Sequence, residues 1–352
     1  MPPDTTSRAL ADTSTAQARA NLRFRDLRAR VGHLTPSNYD ISDTCNLRCE
    51  GCLYFDGADR LGHDDSAADD AWEAFFAKEA ARGVNFAYLA GAEPTLAPRR
   101  ISLARKHIPH GVIFTNGTRQ VSPDLDYRIH ISVWGAPTEN ARLRGADNVA
   151  KAIRLYKGDP RAIFVYTIGR TNIRDIFETA RAMHDAGCAL TFSYFSPTTS
   201  YLAKLKSDVA EDDYFKISTS EDNLVMTPSD FAEARREITR AIEAFGATIL
   251  YSLDYDAWIT SDVPHRIDPV SGIAIDCGNR LTPKHLHFSV DLSQSTGKCC
   301  SPNIDCSGCR AYAQGYGTYL KRFSEVRHDA DALDRWLSVW ELWALMFLPP
   351  SR

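Results

Sequence analysis

The chain has 352 residues, 41 Lys and Arg against 45 Asp and Glu, a formal net charge of −4 and 44% hydrophobic residues, the balance of a soluble globular protein with room for one large domain and a smaller appended one. No run approaches the ~20 apolar residues that span a bilayer, and the slight negative charge speaks against a face built to neutralise nucleic-acid phosphates or anionic lipid, so neither nucleic acid nor membrane is expected as a partner. The first residues lack the charged start and apolar core of a secretory signal, which with nine cysteines predicts a cytoplasmic protein whose thiols serve metals or catalysis rather than disulfides.

In chain order, residues 1–36 read as a flexible N-terminus followed by a short helix. Residues 1–15 are rich in Ser, Thr, Ala and Asp and predict disorder. Leu22, Phe24 and Leu27 among arginines predict an amphipathic helix over 16–31 packed on the domain edge. Residues 38–42 read as a strand leading into a cysteine loop, and 70–82 as a helix ended by Gly83. Further strands are predicted at 85–90, 111–115, 127–133, 162–168 and 189–195, with helices between most of them. Residues 228–245 read as a helix with Pro228 in its first turn, followed by a strand near 248–253. Such βα repetition gives an α/β fold with a parallel sheet, doubly wound or a closed or partial barrel, and barrels place their chemistry at the C-terminal ends of the strands. After residue 261 the alternation stops, which divides the chain into 37–261, a cysteine-rich stretch at 262–325 and a last segment at 326–352. In that segment Trp336, Trp340 and Trp343 stand at helical spacing over 332–348 and predict a packed closing helix rather than an aromatic ligand box.

The first cysteine group, Cys45-x3-Cys49-x2-Cys52, comes directly after the first predicted strand. Three soft thiolates on a short loop can converge on three corners of an iron–sulfur cube and leave the fourth iron open to an amino-acid chelate. Zinc is the alternative, but it generally wants a fourth protein ligand, for which His63 is the nearest candidate. In this spacing, and over roughly residues 38–255, the sequence resembles the radical S-adenosylmethionine (SAM) superfamily. Gly91-Ala92-Glu93-Pro94 is similar to that family's Gly-Gly-Glu-Pro segment, with Ala92 in place of the second glycine, and Thr115-Asn116-Gly117 is similar to its Thr-Asn-Gly. Ser132 and Arg144-Gly145 are similar to a serine and an Arg-Gly that meet SAM, and Thr167 ends the fifth predicted strand. The resemblance implies a partial (β/α)6 TIM-like barrel with a small C-terminal iron–sulfur extension. It implies a [4Fe–4S] cluster on Cys45, Cys49 and Cys52, and SAM bound by Gly91, Ala92, Glu93, Asn116, Ser132, Arg144 and Thr167. Glu93 would accept from the methionine ammonium and Arg144 pair with the carboxylate. Gly51 departs from the pattern, standing where many members carry an aromatic residue against adenine, so Tyr54 or Phe55 is expected to supply that surface.

Cys277, Cys299, Cys300, Cys306 and Cys309 form the second group. Alternation at 286–291 predicts a strand, and Ser295-Thr296-Gly297 a turn into Cys299. This order resembles the auxiliary-cluster extensions called twitch and SPASM domains, closer to the shorter twitch layout, and implies a second [4Fe–4S] cluster on Cys277, Cys299, Cys306 and Cys309. Cys300 is the alternative to Cys299, since adjacent strand residues point to opposite faces. A cluster with one iron open to substrate and a structural zinc knuckle are the other readings. Cys188, alone before a strand, is expected to be a small buried residue.

The same resemblance implies the reaction. An electron from the first cluster splits SAM to a 5′-deoxyadenosyl radical, which takes a hydrogen atom from substrate, and the auxiliary cluster helps make the outcome an oxidation or a bond formation. An electron donor of the flavodoxin or ferredoxin type is implied. The stretch before the first strand is too short for the winged-helix module with which many peptide-modifying members hold a leader peptide. A small biosynthetic metabolite, such as a sugar, cyclitol or nucleoside, is therefore expected over a ribosomal peptide. Tyr166, Tyr194 and Asp254 are candidates to line the pocket or move a proton. A radical-SAM-like binding protein without turnover is the reading of another class.

Overall fold

The computed structural model describes residues 5–55, 64–207, 218–280, 284–295, 299 and 303–349. His63, Cys300, Thr296 and Gly297 lie outside the described residues. Among the described residues six strands pair in sequence order: β1 (Pro36–Asp40), β2 (Phe86–Ala90), β3 (His110–Thr115), β4 (Arg128–Val133), β5 (Ala162–Ile168) and β6 (Ala189–Tyr194). A seventh, β7 (His287–Phe288), adds on the outer side of β1, and every pair in the sheet is parallel. This open parallel sheet with helical crossovers is an α/β fold of the partial-barrel kind. Parallel strands covered on both faces read as nearly continuous apolar runs, and β5, Ala-Ile-Phe-Val-Tyr-Thr-Ile, is buried at all but one position.

The crossovers carry α2 (Asp69–Ala81), α3 (Pro98–His107), α4 (Pro137–Arg144), α5 (Val149–Tyr156) and α6 (Ile176–Ala186), followed by α7 (Thr199–Lys206), α8 (Pro228–Phe245) and α9 (Leu253–Ile259). The start of α8 shows why the chain becomes helical there. Thr227 and Asp230 cap each other's backbone N–H groups, and Pro228 presets the first turn. The chain ends with α10 (Tyr312–Leu320), α11 (Phe323–Val326) and α12 (Ala330–Phe347).

Three elements differ from expectation. The first helix, α1, spans Thr5–Val31, so it takes in residues 5–15 that composition marked as disordered. That stretch holds no Gly or Pro to break it, and extending an existing helix costs far less than nucleating one. The strand expected at 248–253 is a single bridge, Leu190 to Ile249, because Ser252 already caps α9, its Oγ accepting from Tyr255 N at 3.3 Å. The strand expected at 286–291 is two residues long and belongs to the barrel sheet: Asn38 N donates to Leu286 O at 2.9 Å and Asn38 stands opposite His287. The chain then turns at Leu292, with φ of 65°, and bridges Phe288 to Gln294.

The last helix packs at the N-terminal ends of the strands. Arg128, which opens β4, donates to the carbonyls of Leu345 and Leu348, and His130 Nε2 donates to Met346 O at 2.9 Å. Arg23 ties α1 to α12 through Asp334, Ser338 and Glu341, and Phe24 stacks on Phe323 at 4.5 Å.

Candidate active site

Side chains alternate between the two faces of a strand, and one set of alternates on each strand faces the lumen: Asn38 and Asp40 on β1, Tyr88 and Ala90 on β2, His130 and Ser132 on β4, Val165 and Thr167 on β5. They line a cavity of about 1020 Å³, at the upper end of the range for small-molecule sites. Cys45, Cys49, Cys52, Gly91, Ala92, Glu93, Asn116, Ser132, Arg144 and Thr167 all line this one cavity.

The cysteine loop is pinned by the end of α4. A helix leaves its last carbonyls without partners, and two of them are used here: Arg48 N donates to Arg144 O at 3.3 Å and Glu50 N to Leu143 O at 2.7 Å. The buried Glu50 carboxylate accepts from Tyr201 OH at 2.6 Å and Ser218 N at 2.8 Å, while burial raises its pKa. On the other side Asn46 donates to Thr118 Oγ1 at 2.9 Å and accepts from Asn116 Nδ2 at 2.8 Å. Burial pushes the Cys45 thiol up and the Cys52 thiol up to about 12, with the neighbouring Cys49 adding to both. Thiols held protonated by burial, as Cys45 and Cys52 are, suit a cationic centre that would hold them as thiolates. Among the described residues no three His, Cys, Asp or Glu side chains close on one point as the shell of a single ion requires. A cubane asks something else, since each thiolate binds a different iron. Soft donors in a loop over an enclosed lumen fit an iron–sulfur cluster.

Glu93 is buried and firmly held. Its Oε1 accepts from Thr95 N at 3.0 Å and from the hydroxyls of Thr95 and Thr115, both at 2.6 Å, and its Oε2 accepts from Asn116 N at 2.7 Å. Oε2, with a single donor, retains capacity for a cationic group in the cavity. Arg144 is buried, donates to Ser132 O, and sits 5.8 Å over the Trp134 ring. Its Nε is buried without a hydrogen-bond partner among the described residues. Ala92 has no positive φ, and its N–H donates to Ser42 O at 2.8 Å, so the methyl in place of hydrogen causes no backbone strain.

The aromatic wall draws on Tyr54, one of the two expected residues, and on residues further along the chain. Gly51 has φ of +54°, and a Cβ there would lie 2.7 Å from Phe195 Cζ and 3.0 Å from Tyr201 Cδ2. The space before the third cysteine is therefore filled from the end of β6. Phe195 and Trp134, 6.2 Å apart, line the cavity beside Tyr54, and Phe55 packs in the same cluster as Phe195 and Trp134, with Leu143 and Tyr201. Of the three candidate proton carriers only Tyr194 lines the cavity; its OH donates to Asp256 at 2.6 Å, and burial holds its pKa well above the usual range. Tyr166 is buried with its OH on Asn172 O at 2.6 Å, and Asp254 is on the surface 3.6 Å from Arg335. Trp336, Trp340 and Trp343 pack as a closing helix, yet all three also line the far end of the cavity.

The second cysteines stand apart from the cavity lining. Cys277 and Cys306 are buried together with Ala274, while Cys299 and Cys309 are half-buried. Lys321 Nζ donates to Cys277 O at 3.0 Å and His265 Nε2 to Cys309 O at 2.8 Å. Cys188 is buried, as expected.

Fold and site together define a partial (β/α)6 barrel with a three-cysteine loop above its lumen, the fold that the resemblance implied. No family model and no curated protein matches the sequence. Among solved structures, native anSMEcpe with bound AdoMet shares the fold with a TM-score of 0.50 and 17% identity, over 79% of this chain and 78% of that one. SuiB of Streptococcus suis bound to the precursor peptide SuiA aligns at 0.49 and 12%, over 84% and 76%. A second SuiB structure aligns at 0.45 and 15% over 64% of this chain, which spans 52% of that SuiB chain. No helix among the described residues is long and apolar enough to cross a membrane.

Proposed function

We propose that the chain is a cytoplasmic radical SAM enzyme acting on a small biosynthetic metabolite such as a sugar, cyclitol or nucleoside. The observation that carries this reading is the convergence of Cys45, Cys49 and Cys52 with Gly91, Ala92, Glu93, Asn116, Ser132, Arg144 and Thr167 on one cavity. In it the cysteines hold a [4Fe–4S] cluster and the other seven bind SAM. When bound, the two supply a one-electron cleavage that generates a hydrogen-atom abstractor. The chain's own work is to hold and to screen. The α4 carbonyls fix the cysteine loop, Glu93 Oε2 meets the ammonium, Arg144 meets the carboxylate, and Phe195 and Trp134 wall the chamber against water. Cys277, Cys299, Cys306 and Cys309 hold a second [4Fe–4S] cluster in this reading, supported by the joint burial of Cys277 and Cys306, and the outcome is an oxidation or bond formation. The electron donor is a flavodoxin or ferredoxin. Iron-loaded protein incubated without oxygen with SAM and dithionite should form 5′-deoxyadenosine and methionine; fully loaded protein that forms neither overturns the reading.

A further inference from the structure

Residues 196–201, where the chain leaves β6 and opens α7, touch both cysteine groups. On one side they close the Cys306-x2-Cys309 loop at its two shoulders. Ahead of Cys306, Thr198 bridges Ile304 and Thr199 N donates to Asn303 O at 2.8 Å. Just past Cys309, Arg310 N donates to Ser196 Oγ at 2.9 Å. Thr198 also caps α7, its Oγ1 accepting from Tyr201 N at 3.1 Å. The cap fixes where Tyr201 stands relative to those shoulders.

On the other side Tyr201 carries the first loop. Its ring is 0% exposed, meets Phe195 edge-on at 5.4 Å and belongs to the cluster against which Cys52 packs. A Cβ built on Gly51 would lie 3.0 Å from its Cδ2, so the loop backbone rests directly on the ring. The hydroxyl donates to Glu50 Oε1 at 2.6 Å, and the same oxygen accepts from Ser218 N at 2.8 Å. Glu50 is 2% exposed and stands with Gly51 between Cys49 and Cys52. A buried carboxylate depends on such donors, because leaving it unpaired is costly. The turn that holds the second cysteine loop thus also holds the residues between two ligands of the first.

We infer that Tyr201 and Glu50 are positioning residues for the first cysteine loop, and that the second cysteine segment sets their place through the turn at 196–199. The inference rests on reading both cysteine groups as cluster sites and adds a relation between them. The second site steadies the first, so disturbing Cys306 and Cys309 loosens the loop of Cys49 and Cys52 without touching either thiol. Contiguous packed and hydrogen-bonded elements carry coupling of this kind. Here every step from Arg310 and Asn303 to Glu50 is a hydrogen bond or one helical turn.

The test is amide hydrogen exchange in the peptide spanning 44–55 of anaerobic, iron-loaded protein, read beside the electron paramagnetic resonance spectrum of the reduced first cluster. Tyr201→Phe keeps the ring contacts and removes the donor. Exchange should rise at least about tenfold, the worth of one hydrogen bond to a charged group, and the spectrum should change. Glu50→Ala should do the same. Glu50→Gln keeps an oxygen for both donors and should restore exchange and spectrum, a rescue that a general loss of packing would not show. Replacing Cys306 and Cys309 with Ala should also raise exchange at 44–55, and adding Tyr201→Phe should then raise it little further, because the link is already cut. Ser196→Ala cuts one shoulder without removing a cysteine, so it should raise exchange even where a cysteine variant fails to fold, and whether the second group holds a cubane or zinc. A parent-like peptide and spectrum in Tyr201→Phe overturn the positioning role. Exchange at 44–55 unmoved by Ser196→Ala, or effects that add in full, overturn the link. Protein that shows the link but forms no 5′-deoxyadenosine keeps it and loses the radical SAM reading; the opposite result does the reverse.

Discussion

Replacing Gly91 by Ala tests how the barrel keeps its two site loops in register. Gly91 follows β2 with φ of +115°, and a Cβ built there lies 2.7 Å from Ser42 O and 3.1 Å from the amide nitrogens of Ile41 and Ser42. All three are backbone atoms just after β1, where the cysteine loop begins, so no side chain can swing aside. Holding alanine at that φ costs about 1–3 kcal/mol, and overpacking adds about 1–3 kcal/mol. A loss of about 4 kcal/mol, divided by a denaturant slope of about 3 kcal/mol/M, lowers the urea midpoint by roughly 1 M. Ala92→Gly is the matched control, because Ala92 has no positive φ and the change should cost about 1 kcal/mol or less. Circular dichroism in urea measures both. A G91A midpoint within about 0.2 M of the parent would refute the claim that the two strand ends meet too closely for a methyl group.

Three further outcomes follow from the site. His130 and His285 take up a proton near pH 6.5 when unfolded but only near about 3 and about 4 when folded, so the unfolded chain binds more protons in between. Stability present at pH 7 is therefore lost as pH falls below 6.5, by about 1.4 kcal/mol per unit for each histidine; urea midpoints at pH 7 and pH 5 should show the loss, and an undiminished loss in His285→Phe counts against it. Arg144→Lys keeps the charge but cannot serve both Ser132 O and a carboxylate with one planar fork, so SAM affinity by equilibrium dialysis should fall at least about tenfold while the melting profile holds. Iron analysis should give about eight irons per chain if both groups hold cubanes and about four if the C-terminal site is zinc; replacing Cys45, Cys49 and Cys52 with Ala should leave the second cluster's colour, and a colourless variant sinks that cluster.

Much of this was readable from residue order because local chemistry decides it. The strand at 162–168 and the helix at 228–245 match their predicted bounds, one an unbroken apolar run and the other framed by its cap and Pro228. That the ten residues would line one cavity was likewise legible for nine of them, each at the end of a strand or on the loop after it, where a parallel barrel gathers side chains, while Arg144 closes α4. What was not legible depends on partners distant in the chain. Gly51 signalled that an aromatic ring was missing from the cysteine loop, but Phe195 fills the space only because β6 ends there. Alternation at 286–291 announced a strand without saying which sheet takes it. The answer lies in Ser37 and Asn38, whose groups bond Leu286 and His285 across the barrel edge.

That edge explains why the C-terminal segment matters beyond its cysteines. Six strands alone leave the barrel open beside β1 and open below. β7 and the residues before it supply His287 and His285 to the open side, α10 contributes Tyr312, and α12 sets its three tryptophans across the lower end while its carbonyls orient His130 and Arg128. Arg23 holds α1 against the same helix. A chamber meant to keep a reactive intermediate from water needs such closure, and here the closure also delivers the polar groups that face the lumen. Substrate choice is therefore expected to follow the residues of 285–295 and α12 rather than the cysteine loop, so exchanging that segment should change what is bound while leaving the first cluster's spectrum in place.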